Sequence, residues 1–224
     1  TYIGSLSNTN PFTLGSANGS YYTPCDISQV LLYSKKLSDE EIKQNYDATK
    51  KRYEYDVPIV TDGLILNLDA GNYISYPRSG TTWTDLTGRG NNGTLTNGAT
   101  FNSADGGSIV FDGVDDEVVL PINSIFNTPS VTFEVWANLQ EINDRHILYV
   151  NWTGNALEVN SDRSVVMFNY SNTAGQVGSQ TTSGAINWNV WTHFVGTYDD
   201  SSQTLRTYIN GVLLATRTST PSTV

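Results

Sequence analysis

Alternation of apolar and polar residues near the end of the chain predicts a β-hairpin. Residues 204–209 and 212–216 flank Asn210 and Gly211, two residue types that tolerate the positive φ of a two-residue type I′ turn. The predicted register pairs Ile209 with Val212, Thr207 with Leu214 and Tyr208 with Leu213. Just upstream, residues 191–198 form a third predicted strand, and a polar loop connects it to the hairpin. Apolar residues on both faces of these strands indicate a sheet covered by a second sheet.

The same short-strand pattern recurs along most of the chain. Predicted strands separated by turn signals include 26–33, 64–68, 108–112, 117–120, 131–135, 147–151, 157–160 and 165–170. Short strands at such close spacing are typical of an all-β sandwich or barrel.

One surface helix is predicted over residues 38–50. Ser38 and Glu41 have the spacing of a capping box, and Leu37 and Ile42 occupy the hydrophobic-staple positions around it. The apolar stripe of the helix is narrow, so we expect it to lie on a sheet and cap the domain.

Composition and charge narrow the class of partner. The 224 residues carry a net charge of −10, which argues against a nucleic-acid groove or an anionic membrane surface. No apolar run reaches membrane-spanning length, so no membrane insertion is expected. Cys25 is the single cysteine and cannot form an internal disulfide.

Five stretches of the chain resemble a known family: residues 62–71, 83–94, 107–116, 191–198 and 208–211. As a set they are similar to laminin-G-like repeats of the concanavalin-A-like lectin/glucanase superfamily. Versions of these repeats occur in virion and tail-fibre proteins of tailed bacteriophages and in bacterial surface proteins. The resemblance implies an all-β, two-sheet antiparallel jelly-roll sandwich.

The order of the motifs differs from that family. Residues 2–4, 27–33 and 37–46 resemble its last strands and final helix, yet here they come first. We therefore divide the chain into a segment 1–52, a linker 53–61 and a body 62–224, which together are equivalent to one domain in permuted order. Three interpretations stay open: one period of a tandem array, a subunit that donates strands to a neighbouring chain, or a circular permutant that closes on itself.

No catalytic site is predicted. Glucanases of the superfamily need two carboxylates across a cleft, and no predicted strand presents such a pair on one face. The isolated acids are Glu117, Glu134 and Glu158, while His146, His193 and Cys25 lack the partners of a nucleophilic site.

A calcium ion is a candidate ligand but not a required cofactor. Asp112, Asp115 and Asp116 cluster with a glycine, Asp69 ends another strand, and relatives implied by the resemblance bind calcium through such acids. The competing interpretation, which we favour, is that the cluster only builds the hairpin turn.

Aromatic residues in loop-like stretches are candidates for stacking on sugar rings; they are Trp83, Trp152, Trp188, Tyr21, Tyr22 and Tyr170. The alternative is that these rings plug the ends of the sandwich. Trp136, Trp191 and Phe194 fall inside strands, where core packing is the expectation.

These observations predict a non-catalytic structural or interaction module of an extracellular or virion fibre or array, with weak glycan binding as an accessory property. Its expected partners are copies of itself in a head-to-tail array or by strand exchange, together with surface glycans. The alternative is a carbohydrate-binding adhesin module whose main function is glycan recognition.

Overall fold

The computed structural model describes residues 12–17, 21–50, 58–151, 155–169 and 177–218, and within these ranges it is a two-sheet antiparallel sandwich with one α-helix. The first part of the chain forms β1 (Phe12–Leu14), β2 (Ser16–Ala17), β3 (Tyr21–Tyr22), β4 (Pro24–Tyr33), α1 (Asp39–Lys50), β5 (Leu64–Asp69), β6 (Thr82–Trp83), β7 (Gly93–Thr96) and β8 (Thr100–Asn102). The second part forms β9 (Ser108–Asp112), β10 (Glu117–Leu120), β11 (Val131–Leu139), β12 (His146–Asn151), β13 (Asn155–Val159), β14 (Val165–Asn169), β15 (Val177–Gln180), β16 (Trp191–Asp199), β17 (Thr204–Ile209) and β18 (Val212–Thr218).

Each large sheet contains eight strands. The first sheet has the order β15-β14-β13-β12-β1-β10-β7-β6. The second has the order β18-β17-β16-β11-β4-β9-β8, with β5 also paired to β4, and β2 and β3 form a small separate hairpin. This architecture confirms the predicted all-β, two-sheet sandwich. Among the described residues, no helix combines the length and apolar character needed to cross a membrane.

The core lies between the inner faces of the two sheets. Phe133 of the second sheet stacks on Tyr149 of the first, with ring centroids 4.5 Å apart. Phe12 packs 4.6 Å from the same tyrosine ring, so an aromatic residue of the first segment lies inside the body's core. Burial of such aromatic rings contributes a large share of the hydrophobic stabilisation.

Strands from the first fifty residues occupy the interior of both sheets. In the second sheet β4 pairs with β11 on one side and with β9 and β5 on the other. In the first sheet β1 lies between β10 and β12. Without β1 and β4, each sheet would be divided and would expose unpaired strand edges.

The predicted start of helix α1 is confirmed in detail. The Ser38 backbone N–H donates to Glu41 Oε2 over 2.8 Å, and the Glu41 N–H donates to Ser38 Oγ over 3.2 Å. Leu37 and Ile42 are fully buried against the outer face of the second sheet. The helix therefore covers part of that face, as its narrow apolar stripe requires.

The hairpin of β17 and β18 has the predicted turn and one difference in register. Asn210 and Gly211 have φ of 50° and 75°, and Ile209 lies opposite Val212. Thr207 lies opposite Ala215, however, and not opposite Leu214. A bulge between Thr207 and Tyr208 shifts the pairing by one residue, which alternation alone does not reveal.

The linker predicted at 53–61 is packed at its end. Residues 51–57 lie outside the described part of the chain, but Val60 is buried beneath α1. Its N–H donates to Asn45 Oδ1 over 2.7 Å, and its carbonyl accepts from the Tyr33 hydroxyl over 3.1 Å. The predicted strand at 2–4 also lies outside the described residues.

Candidate functional site

Two of the predicted aromatic candidates lie on the β2–β3 hairpin, against the outer face of the first sheet. Tyr21 is 40% exposed, and the Arg145 guanidinium lies 4.7 Å from its ring centroid. Arg145 Nη1 lies 3.3 Å from Glu158 Oε2, so a buried carboxylate orients the arginine. Tyr22, the second candidate, is half-buried beside it. This group combines an aromatic face, a cation and an anion at the surface of one sheet.

Trp188 packs over a buried histidine at one end of the sandwich. Its ring centroid lies 5.4 Å from that of His146, and its side chain contacts the main core. His146 Nε2 lies 2.8 Å from the Gln140 carbonyl oxygen. Burial lowers the pKa of His146 to about 4, although the hydrogen bond to Gln140 opposes this shift. Trp188 is half-buried, and its contacts fit the end-plugging interpretation.

The structure removes Trp83 from the set of sugar-stacking candidates. Its side chain is fully buried in the core cluster, so neither face of the indole is available to a ligand. Trp152 and Tyr170 lie outside the described residues, and their assignment stays a prediction.

Two strand tryptophans lie on the outer face of the second sheet, contrary to the expectation that both pack in the core. Trp136 and Trp191 are each only half-buried, whereas Phe194 is fully buried as expected. Trp136 stacks on Tyr46 of α1 with centroids 5.8 Å apart. Strand parity carries this signal, because Phe133 and Val135 face the core and place Trp136 on the other face.

Trp191 is held by a distant acid. Its Nε1–H donates to Asp105 Oδ2 over 2.9 Å, and Asp105 belongs to a short 3-10 turn at 104–106 that follows β8. In the second sheet β8 and β16 are separated by β9, β4 and β11. The indole and the turn must therefore approach each other across the outer face of the intervening strands.

A buried polar network lies beneath α1 on the same face. Asn45 Nδ2 donates to the Tyr33 hydroxyl over 2.8 Å and to Glu134 Oε1 over 3.0 Å. Glu134 Oε2 lies 3.4 Å from His193 Nε2, and both side chains are almost completely buried. Glu134 is thus engaged by the helix and by a neighbouring strand, and is not presented in an open cleft.

The acidic turn between β9 and β10 fits a hard cation. Oxygen atoms of Asp112, Asp115 and Asp116 lie within 4.8 Å of one another. Asp116 Oδ2 accepts from the Asp112 N–H over 3.0 Å, but the buried Oδ1 has no hydrogen-bond partner among the described residues. Burial, with Asp112 and Asp115 nearby, raises the pKa of Asp116. A bound calcium ion would supply positive charge that relieves this repulsion and cross-links the turn.

Asp69 is not part of that acidic group within the described chain. It ends β5, where its Oδ1 accepts from the Gly71 N–H over 2.9 Å. Asp112 likewise caps its own turn, because its Oδ1 accepts from the Val114 N–H over 2.7 Å. These contacts are the turn-building roles expected of aspartate.

The two-sheet sandwich with surface aromatic and polar groups defines a concanavalin-A-like interaction or carbohydrate-binding module. A family model described as laminin G, concanavalin A-like lectin/glucanases superfamily, matches residues 111–224, about half of the chain. The chain belongs to this laminin-G-like family, whose domains are common in extracellular proteins. Comparison with curated proteins and with solved structures finds no match.

Proposed function

We propose that the protein is a non-catalytic interaction module of an extracellular or virion fibre or array, and that it assembles with copies of itself. The supporting observation is the position of β4 in the second sheet. It pairs with β11, β9 and β5, and it is joined to the body through α1 and residues 51–57. The same ladders form whether β4 comes from its own chain or from a neighbouring one.

Strand β18 offers a contact for a second copy. Among the described residues it is the edge strand of the second sheet, and Val212, Leu213 and Leu214 are 58%, 36% and 47% exposed. An exposed apolar edge strand is a template for pairing with another chain. A contact between this edge and a different surface of the next copy is heterologous, so it would extend into an array.

Sedimentation velocity over a range of protein concentrations, with electron microscopy of the same samples, tests the assembly proposal. We expect concentration-dependent oligomers or fibres. Leu214→Lys should reduce assembly without unfolding the domain, because a charge on an edge strand opposes pairing. A strictly monomeric, cooperatively folding chain at all concentrations would contradict the proposal.

The placement of the three strand glutamates supports a non-catalytic role. Glu134 is buried under α1, whereas Glu117 and Glu158 lie on β10 and β13 of the first sheet. Those two strands are separated by β1 and β12, which places them about 14 Å apart. Paired glycosidase carboxylates lie about 5–10 Å apart. Release of reducing ends from polysaccharides by the protein would contradict this assignment.

A carbohydrate-binding adhesin module is the second candidate function. The partly exposed Tyr21 ring and the oriented Arg145 guanidinium favour it, since they offer an apolar face and hydrogen-bond donors together. A glycan array tests this candidate, and Tyr21→Ala and Trp152→Ala test the predicted residues. Saturable binding lost in these variants would favour recognition as the main function, whereas silence on the array together with visible fibres would favour the structural role.

A further inference from the structure

We propose that the turn at residues 72–76 of one copy packs against strand β18 of the next copy, so that Tyr73 and Ile74 cover residues 212–214. The inference rests on the self-assembly proposed above, and it names the surface of the second copy that β18 contacts. The contact is made by side chains at the surface and does not require the exchange of β1 or β4.

In the described part of the chain, large apolar residues that are adjacent in sequence are exposed at only two places. One is the pair Tyr73 and Ile74, which are 67% and 76% exposed. The other is the run Val212, Leu213 and Leu214 at the start of β18. Single exposed apolar residues are normal on a protein surface, whereas contiguous ones indicate an interaction surface. The two places are therefore candidates for the two sides of one contact.

The 72–76 turn holds its apolar side chains in place before any partner binds. The Asn72 carbonyl accepts from the N–H groups of Ser75 and Tyr76 over 3.0 and 2.8 Å. Asn72 Oδ1 also accepts from the Ile74 N–H over 2.9 Å. Ser75 and Tyr76 are buried, so one end of the turn is anchored in the protein. Because this backbone is already ordered, binding through the turn costs little conformational entropy.

The turn and β18 lie at opposite sides of the sandwich. The turn follows β5, which pairs with β4, whereas β18 is at the other end of the same sheet among the described strands. Ser75 Oγ donates to the carbonyl of Thr84, which follows β6 at the edge of the first sheet. Five strand spacings of about 4.8 Å separate β5 from β18, or roughly 24 Å. Complementary surfaces on opposite sides make heterologous contacts, which extend into an array and do not form a two-fold dimer.

The register of β18 favours a turn over a strand as its partner. A shift in the pairing leaves Leu214 without a partner on β17. Such a bulge interrupts the regular row of backbone N–H and C=O groups that a second strand would need for a long ladder. The exposed side chains of residues 212–214 are unaffected by this interruption, and a compact apolar turn can pack on them.

Charge distinguishes these two surfaces from the rest of the chain. The net charge is −10, so most contacts between copies bring carboxylates together. Residues 70–84 and 201–224 contain neither aspartate nor glutamate. Asp39, which lies over β17, is already paired with Arg206 at 3.1 Å. A contact between the turn and β18 therefore buries apolar surface with little electrostatic repulsion.

The size of the two surfaces predicts a weak single contact. Five side chains provide less than the roughly 800 Å² per partner that a standard stable interface buries. Association should therefore depend on protein concentration, and repetition of the contact along an array should strengthen it.

The test is sedimentation velocity of the full chain and of single variants over a range of concentrations. Ile74→Lys and Leu214→Lys should each weaken association at least about tenfold, because the contact would bury the introduced charge. Ile122→Lys is the matched control, since Ile122 is 64% exposed and the change in net charge is the same. It should leave association unchanged. Circular dichroism and urea unfolding check that each variant folds.

Mixing the two variants tests the direction of the contact. The Ile74→Lys chain keeps its β18 and the Leu214→Lys chain keeps its turn, so an equimolar mixture has one intact contact per pair. We expect a 1:1 heterodimer from the mixture and only monomers from a chain that carries both substitutions. Direct pairing of β18 with β18 would instead be lost in Leu214→Lys, unchanged in Ile74→Lys, and would give no heterodimer.

Three outcomes would overturn the contact while self-assembly stands: unchanged association in Ile74→Lys, unchanged association in Leu214→Lys, or absence of the heterodimer. If Leu214→Lys lowers the free energy of unfolding and not association, another segment of the same chain covers β18, and the contact is again excluded. A full chain that is monomeric at every concentration would overturn both the contact and the self-assembly on which it rests.

Discussion

At Gly211 the hairpin turn touches the helix, and this contact limits the side chain that the position tolerates. The residue has φ of 75°, and a Cβ there would lie 3.1 Å from three atoms of Tyr46. Gly90 has nearly the same φ, 76°, but a Cβ added to it would meet no atom within 4 Å. Substitutions at the two glycines can therefore distinguish the cost of backbone strain from the cost of the contact with α1.

We expect Gly211→Ala to be more destabilising than Gly90→Ala. Both substitutions force an L-residue into the left-handed region, which costs about 1–2 kcal/mol, but only the first also displaces Tyr46. Denaturant unfolding of the two variants measures the difference. Equal losses would mean that the hairpin turn does not rest on the helix.

The buried His146 makes stability depend on pH. Its pKa is about 4 in the folded protein and 6.5 as the ordinary value, so the unfolded chain binds a proton that the folded chain rejects. Above pH 6.5 the histidine is neutral in both states and does not lower the free energy of unfolding. As the pH falls from 6.5 toward 4, the free energy of unfolding decreases by about 3 kcal/mol in total. Urea unfolding between these pH values should show the decline.

His146→Gln is the control for that measurement, because an amide can still donate to the Gln140 carbonyl but does not titrate. The variant should have a flatter stability profile between pH 6.5 and 4. Groups with a lowered pKa, such as Glu41 and Asp162, lose their contribution at more acidic pH in both proteins. An unchanged slope in the variant would contradict the assignment to His146.

At the scale of elements, Asn45 anchors α1 to the sheet. Its fully buried amide forms hydrogen bonds with Tyr33, Glu134 and Val60. Asn45→Ala would therefore remove a hydrogen-bond donor from the buried Glu134 carboxylate and the acceptor of the buried Val60 N–H. We expect a loss of about 3 kcal/mol in the free energy of unfolding. Lys43→Ala, on the exposed side of the same helix, should change it by less than about 0.5 kcal/mol. Similar losses in both variants would show that the network does not hold the helix.

Local signals predict these elements well because their causes are local. The capping box of Ser38 and Glu41 and the Asn210-Gly211 turn are decided by residues close in sequence. The bulge at Thr207 and Tyr208 escapes such signals, since it depends on how β18 meets the sheet. The prediction for Trp83 is wrong because residues around it show no periodicity, so its burial follows only from tertiary packing.

In the candidate site, too, features with local causes can be predicted and features that depend on tertiary packing cannot. Strand parity is enough to place Trp136 outside the core, whereas its position inside a strand, taken alone, wrongly predicts core packing. The approach of Asp105 to Trp191 could not be predicted, because 86 residues separate them and the contact crosses three strands. Sites built from the outer face of a sheet depend on register between distant strands, which one sequence does not provide.

For the whole molecule, the ends of the described chain lie at the same end of the sandwich. Thr218 pairs with Thr204, and Thr204 pairs with Asp199 beside the first residues of β11. Phe12, at the start of β1, packs 6.5 Å from Phe133 near that end of β11. Thr218 and Phe12 are therefore separated by three spacings between strands and one spacing between sheets, which is less than about 25 Å. Residues 219–224 and 1–11 together can reach roughly 55 Å when extended.

A rearranged chain that begins at Pro58, continues to Val224 and then runs from Thr1 to Lys50 should therefore fold into the same sandwich. It retains every β4 and β1 ladder and omits only residues 51–57, so we expect a near-ultraviolet circular dichroism spectrum like that of the natural order and stability within about 1 kcal/mol. Failure to fold would show that the connection after α1 is needed. If the rearranged chain is monomeric while the natural order assembles, that connection is the hinge through which copies exchange β1 and β4. If both assemble alike, the exposed β18 edge is the better explanation of self-association.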